Sequence, residues 1–253
     1  MGPPRAPIGV FCAFRFSLFI MIGALLPSLH GGEVTFESKP ARTHLLELYT
    51  SEGCSSCPPA EAWLSKLKDD PRLWSEFVPV AFHVDYWDRL GWRDPFASKQ
   101  WTARQYEYSA RWKSSSVYTP GFVLNGREWR NSGVPAASSE KPGVLKLTVT
   151  EGDVVKATFS PEPREARKYD LHVARLGSDL RINVKAGENS GRKLLHDFVV
   201  LSPLKEPLAA NAKQVRLPPA TAAQGSPPRE AIAAWITEAG QLEPIQAVGG
   251  WLR

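Results

Sequence analysis

A chain of 253 residues in which 43% are hydrophobic carries enough apolar side chain for one or two buried cores, and two domains are the natural expectation at this length. Lys and Arg number 31 against 26 Asp and Glu, a formal charge of +5. No stretch gathers five or six like charges, which excludes the clustered cations of a nucleic-acid-binding surface.

Residues 1–32 read as a signal peptide. Arg5 and Arg15 precede an apolar run from Phe16 to Leu26, and Pro27, Ser28 and Gly31–Gly32 follow it. The run falls short of the ~20 apolar residues that span a bilayer, so no membrane association is expected beyond an N-terminal signal anchor, the alternative if the segment is not cleaved. The expected location is periplasmic or secreted. Removing the segment removes Cys12 and leaves two cysteines, both in one C-x-x-C, Cys54 and Cys57. A pair so close closes only a short loop and restricts the unfolded chain little, which favours redox chemistry over structural bracing.

His44 to Tyr49 is a short apolar run that stops at Thr50-Ser51-Glu52-Gly53, the pattern of a buried strand entering a loop. Pro58 and Pro59 follow the cysteines, and Ala60, Trp63, Leu64 and Leu67 recur at helical spacing through Lys68. Phe77 to Val84 reads as a second strand, residues 96–113 as a second helix, and Val117 to Leu124 as a third strand. Asn125-Gly126 is a two-residue hairpin signal into Arg127-Glu128-Trp129. This β-α-β-α-β-β order defines a first domain over 33–130, with the cysteines at the carboxyl end of its first strand. Residues 131–143, rich in Ser, Gly, Pro and Ala, are the expected linker. Over 144–253 come short strands at Val144–Thr150, Val154–Phe159, Tyr169–Arg175, Arg181–Val184, Asp197–Leu204, Gln214–Leu217 and Ala231–Ile236, the pattern of an all-β immunoglobulin-like sandwich.

The segments Tyr49–Pro59, His83–Phe96 and Tyr118-Thr119-Pro120, with a further block over Gly187–His196, resemble the DUF1223 family of exported thioredoxin-like proteins. The resemblance implies an α/β thioredoxin-like fold for the first domain and a redox site at the cysteine pair. A thiol near the start of a helix has its thiolate stabilised, and Cys54, nearer the loop, is expected to be the exposed nucleophile with Cys57 as the resolving thiol. Thr119-Pro120 stands where such folds place a cis-proline facing the cysteines. Pro120 is therefore expected to be cis and Thr119 to contact the backbone of a partner, an ordinary trans turn being the alternative.

Glu47 lies inside an apolar strand seven residues before Cys54, where a buried carboxyl could relay a proton to Cys57; a solvent-facing or Arg-paired carboxylate is the alternative. Trp87 and Trp92, among Asp85, Asp88, Arg89, Arg93 and Asp94, could form a substrate-recognition rim or merely pin a long loop. Glu188, Asn189, Arg192 and His196 read as stabilising a turn or an interdomain face rather than a ligand site. Two thiolates leave a tetrahedral ion short of ligands, so no metal and no cofactor are expected; a Cys, Cys, His copper site through His83 or another of the five histidines, and an inert local disulfide, are the alternatives. The expectation is a thiol–disulfide oxidoreductase acting on exported protein thiols or disulfides; the alternative is a non-enzymatic binding module for another exported protein or a metal ion.

Overall fold

The computed structural model describes residues 1, 2, 32–130, 133–163, 167–220 and 227–252. The expected signal peptide lies outside the described residues except at Met1, Gly2 and Gly32. No described helix is long and apolar enough to cross a membrane.

Strands β2 (His44–Thr50) and β3 (Phe77–His83) are buried at every position, as strands covered on both faces must be. They run parallel, in register from His44 opposite Phe77 to Thr50 opposite His83, and helix α1 (Pro58–Lys66) makes the crossover. Alternation divides their side chains. Leu45, Tyr49, Val78, Val80 and Phe82 point to one face, where helix α2 (Lys99–Arg111) packs Trp101 and Tyr108. Leu46, Leu48, Phe77 and Ala81 point to the other, against Leu64 and Leu67 at α1 and just beyond it. Helix α2 begins at Ser98, whose side chain accepts the Gln100 N–H, and buries Trp101, Arg104, Gln105, Tyr108 and Ser109 along one stripe. Strands β4 (Gly121–Leu124) and β5 (Arg127–Glu128) form the expected hairpin, with Asn125 and Gly126 both at positive φ.

The expectation of a thioredoxin-like α/β domain followed by a separate immunoglobulin-like sandwich is overturned. Strand accounts for 43% of the structure and helix for 16%, and one eight-stranded sheet runs through both expected domains. Beyond the linker come β6 (Gly143–Thr150), β7 (Val154–Pro161), β8 (Tyr169–Ser178), β9 (Leu180–Asn183), β10 (Lys193–His196), β11 (Val199–Leu208), β12 (Ala212–Arg216), β13 (Arg229–Glu238) and β14 (Pro244–Trp251). The large sheet has the order β14-β13-β8-β11-β3-β2-β4-β5. Its seam is parallel: Val199 stands opposite Ala81, and the Ala81 N–H donates to the Phe198 carbonyl at 2.8 Å. The cause is the edge of β3. A strand buried on both faces cannot leave that edge unpaired, and β11 supplies the partner.

A second sheet, in the order β1-β6-β7-β12 with β1 spanning Val34–Glu37, lays Leu145, Leu147 and Phe159 on Leu171, Ile232 and Ile236 of the large sheet. Two-layer β packing therefore exists, but the strands of its second layer, β8, β11, β13 and β14, belong to the sheet that carries the cysteine loop. Residues 32–252 form one compact unit, and the expected linker docks along β2, where the His44 Nε2 lies 2.9 Å from the Ala136 carbonyl oxygen.

Gln246, fully buried on β14, ties these layers. Its Oε1 accepts the Thr43 N–H at 2.7 Å, and its Nε2 donates to the carbonyls of Lys39, Ala41 and Gly143. Gln246→Leu would leave buried backbone groups unpaired and should cost about 2–4 kcal/mol, read as a fall in the urea midpoint. His172 stacks on Trp235 with ring centroids 5.0 Å apart. Burial, then the charges of Arg104 and Lys205, hold its pKa well below the usual value, so the folded protein refuses a proton that the unfolded chain accepts. Stability is complete above the unfolded pKa near 6.5 and falls as pH drops beneath it, by at most about 1.4 kcal/mol per unit. Denaturation between pH 7 and 5.5 should show this slope in the wild type and a shallower one in His172→Phe, which keeps a ring over Trp235.

Candidate functional site

The cysteine loop leaves the carboxyl end of β2. Ser51 turns it, accepting the Gly53 N–H on Oγ and the Cys54 N–H on its carbonyl. A Cβ on Gly53 would stand 2.8 Å from Cβ of Trp87, so glycine is what lets the Trp87 loop approach. Cys54 and Cys57 are joined as a disulfide, and the Cys57 N–H donates to the Cys54 carbonyl at 3.2 Å.

Two expectations about these cysteines change. Cys57, not Cys54, is the N-cap of α1, its carbonyl accepting the N–H groups of Ala60 and Glu61. Pro58 and Pro59 occupy the first helical positions and remove two N–H donors that a thiolate could have used. Nor is Cys54 exposed: both cysteines have 0% accessible surface and lie beneath the exposed pair Ser55 and Ser56. Ser56 Oγ is 3.4 Å from Cys54 Sγ and donates weakly to the Thr119 carbonyl at 3.5 Å.

The Thr119–Pro120 peptide is cis. The Trp87 indole N–H donates to Thr119 Oγ1 at 2.8 Å, so Cys54, Cys57, Thr119, Pro120 and Trp87 gather around one loop. Trp92 faces another way, its indole N–H given to Glu52 Oε2 at 2.6 Å. Its polar edge is thus committed inward.

Behind the disulfide lies a buried acid–imidazole cluster. Thr50 Oγ1 donates to Glu61 Oε1 at 2.5 Å; His196 has Nδ1 at 2.9 Å from Glu61 Oε2 and Nε2 at 3.1 Å from Glu52 Oε1. His83 Nδ1 is 2.7 Å from Asp94 Oδ2, which also accepts the Glu52 N–H. Burial alone would depress the His196 imidazole, but the Glu61 and Glu52 carboxylates outweigh it and raise its pKa to about 10. Burial likewise pushes the Glu61 carboxyl up, and His196 reverses this and holds it below the usual carboxylate range.

The block Gly187–His196 reaches this loop directly. Asn189 Nδ2 donates to the carbonyls of Glu52 and Cys54, Glu188 Oε2 accepts the Ser55 N–H, and Arg192 donates to Asn189 Oδ1. Sequence reasoning placed these residues, His196 among them, at a turn or an interdomain face, and did not foresee the pairing of His196 with Glu52 and Glu61. The signal for it was a histidine inside a family-like block, which one sequence cannot turn into a neighbour of Glu61.

Glu47 is on the other face of β2. Arg104 grips it through Nε to Oε2 at 2.8 Å and Nη2 to Oε1 at 3.0 Å, and the hydroxyls of Tyr49 and Tyr108 donate to the same carboxylate. The Arg-paired alternative is the one realised, and the expected relay to Cys57 is not, because the sheet separates Glu47 from α1. Glu47→Gln should cost about 3–5 kcal/mol by stranding a buried guanidinium, measured by chemical denaturation, while the thiol chemistry of the folded fraction keeps its pH profile.

The family model described as Protein of unknown function (DUF1223) matches residues 45–237. Among curated proteins, none matches the chain. A crystal structure of a protein from Agrobacterium tumefaciens is 26% identical, covering 83% of this chain and 94% of that one with a TM-score of 0.59. HBP35 of Porphyromonas gingivalis shares the fold at 17% identity and a TM-score of 0.52, over 83% of this chain and 75% of its own. A match that takes in both the cysteine loop and the His196 segment extends over most of the sequence, and the chain belongs to the DUF1223 family.

Proposed function

We propose that this chain exchanges thiols and disulfides with exported proteins through Cys54 and Cys57, in the periplasm or after secretion. The observation that carries the reading is a disulfide closed over only two intervening residues, both exposed, with one sulfur at the cap of a helix. Cys54 Sγ lies 3.4 Å from Ser56 Oγ, which itself reaches the Thr119 carbonyl on the rim that Trp87 completes.

A substrate thiolate attacks Cys54 Sγ. The Cys54–Cys57 bond breaks, its electron pair leaves on Cys57, and a mixed disulfide joins Cys54 to the substrate. Cys57 suits the leaving role, because the positive end of the α1 dipole favours a thiolate at its cap. A second substrate thiolate then attacks the substrate sulfur of the mixed disulfide and expels Cys54. The substrate has lost two electrons and the cysteines have gained them; the reverse sequence reduces a substrate disulfide. Since both sulfurs are covered, Ser55 and Ser56 must swing aside before the first attack.

Cys57→Ser should leave Cys54 able to hold a partner thiol as a stable mixed disulfide, seen by mass spectrometry, whereas Cys54→Ser should abolish turnover of a dithiol substrate. A folded wild-type protein whose disulfide survives excess dithiothreitol, with no partner trapped by Cys57→Ser, would make the pair a static brace and sink the proposal.

A further inference from the structure

Behind the disulfide, three side chains from separate elements converge in a way that thiol exchange does not require. Glu61 comes from α1, one turn after Cys57; His83 ends β3; His196 ends β10. All three are buried, and one donor atom from each lies within 4.8 Å of the other two.

We propose that Glu61, His83 and His196 bind one divalent transition-metal ion, with Zn²⁺ as the reference ion. Each ligand has one polar atom engaged by a partner and a second left over. Asp94 occupies Nδ1 of His83 and leaves Nε2. Glu52 occupies Nε2 of His196 and leaves Nδ1, and Thr50 occupies Oε1 of Glu61 and leaves Oε2. A carboxylate behind each ligating imidazole is the outer shell that fixes tautomer and ring orientation at metal centres. The outer shell is itself anchored, since Trp92 donates to Glu52 and the Phe96 N–H donates to Asp94.

A second observation points to a ligand. His196 Nδ1 is fully buried and makes no hydrogen bond, although Glu61 Oε2 lies 2.9 Å away. The two atoms approach without N–H···O alignment, as two donors directed at a common third atom would. The imidazoles of His83 and His196 meet edge to face at 5.1 Å, and Glu52, Glu61 and Asp94 bring three carboxylates to these two rings. A dication bound to two neutral imidazoles supplies the same formal charge as two imidazolium protons and removes the repulsion between them.

Two nitrogens and one carboxylate oxygen suit zinc and its transition-metal neighbours rather than Mg²⁺ or Ca²⁺, which prefer all-oxygen shells. Three protein ligands leave a fourth position open. A cleft of 540 Å³ lined by Pro58, Pro59, Glu61 and Leu194 gives a path to Glu61. The site uses no sulfur and is complete while Cys54 and Cys57 are bonded to each other, so it stands apart from the exchange proposal.

The test is calorimetric titration of the full chain, disulfide intact and stripped with a chelator, using Zn²⁺ alone. One ion per chain is expected, with affinity reduced about tenfold or more in Glu61→Gln and in His196→Asn. Co²⁺ in the same site should give visible d–d bands without a thiolate charge-transfer band. Absence of stoichiometric uptake, or uptake unchanged in both variants, would leave His196 as an imidazolium between two carboxylates and overturn the proposal. Should the variants fail to fold, the wild-type Co²⁺ spectrum decides: nitrogen and oxygen ligation supports the site, and sulfur ligation or no binding refutes it.

Discussion

One parallel backbone pairing, β11 against β3, determines where the other elements can stand. It is narrow, with Val199 opposite Ala81 and the Phe198 carbonyl receiving the Ala81 N–H. Yet β8 lies on the far edge of β11, β13 on β8 and β14 on β13, so the position of the second half of the chain follows from it. Because β10 ends three residues before Val199, the same pairing delivers His196 to Glu52 and Glu61 and brings Asn189 over the cysteine loop. Lys68, in the turn just beyond α1, reinforces the seam through ion pairs to Asp179 and Asp197.

The strands, helices and turns of the first half were legible because their signals are local. The prolines after Cys57 and the Asn125-Gly126 turn each depend on a few neighbouring residues, whereas the cis bond at Pro120 was expected from the family resemblance. The joining of the two halves was not legible, since no local pattern in Val199 or Ala81 says which distant strand each will pair with. Most second-half strands were foreseen, but β10 and β14 were not: β10 is only four residues long, and Pro-Ile-Gln-Ala-Val-Gly-Gly-Trp of β14 has no clear alternation. Its glycines are required by close packing, as a Cβ at Gly250 would lie 2.0 Å from the Phe36 ring. The cysteine pair was found and its burial was not, because burial follows from the packing of the folded loop and not from the spacing of the motif.

Charge is buried on both faces of β2, in two arrangements with different chemistry. On the α2 face, Glu47 and Arg104 meet in a bidentate pair closed off by two tyrosine hydroxyls, with every carboxylate oxygen taken. Such a unit fixes how α2 sits on the sheet and has nothing left to offer a substrate. On the α1 face, carboxylates outnumber imidazoles and His196 Nδ1 is left without a hydrogen bond. That unspent buried nitrogen, which has no counterpart on the face bearing Glu47, is what makes this face the one able to take a ligand.

The covering of the sulfurs also locates the gate that exchange would need. Helix α1 is fixed by Leu64, Leu67 and Lys68, and β2 is interior, so neither can move far without disrupting the core. The Ser55–Ser56 segment is different. Its contacts to the rest of the chain are a few polar ones, from Ser55 to Glu188 and from Ser56 to Thr119, while Asn189 grips the carbonyls on either side of Gly53. Breaking hydrogen bonds at a surface costs far less than opening a packed core, because water replaces the lost partners. If the disulfide reacts, access to it is therefore governed by the β9–β10 connection that carries Glu188 and Asn189. That connection belongs to the half of the chain the C-x-x-C motif gives no hint of.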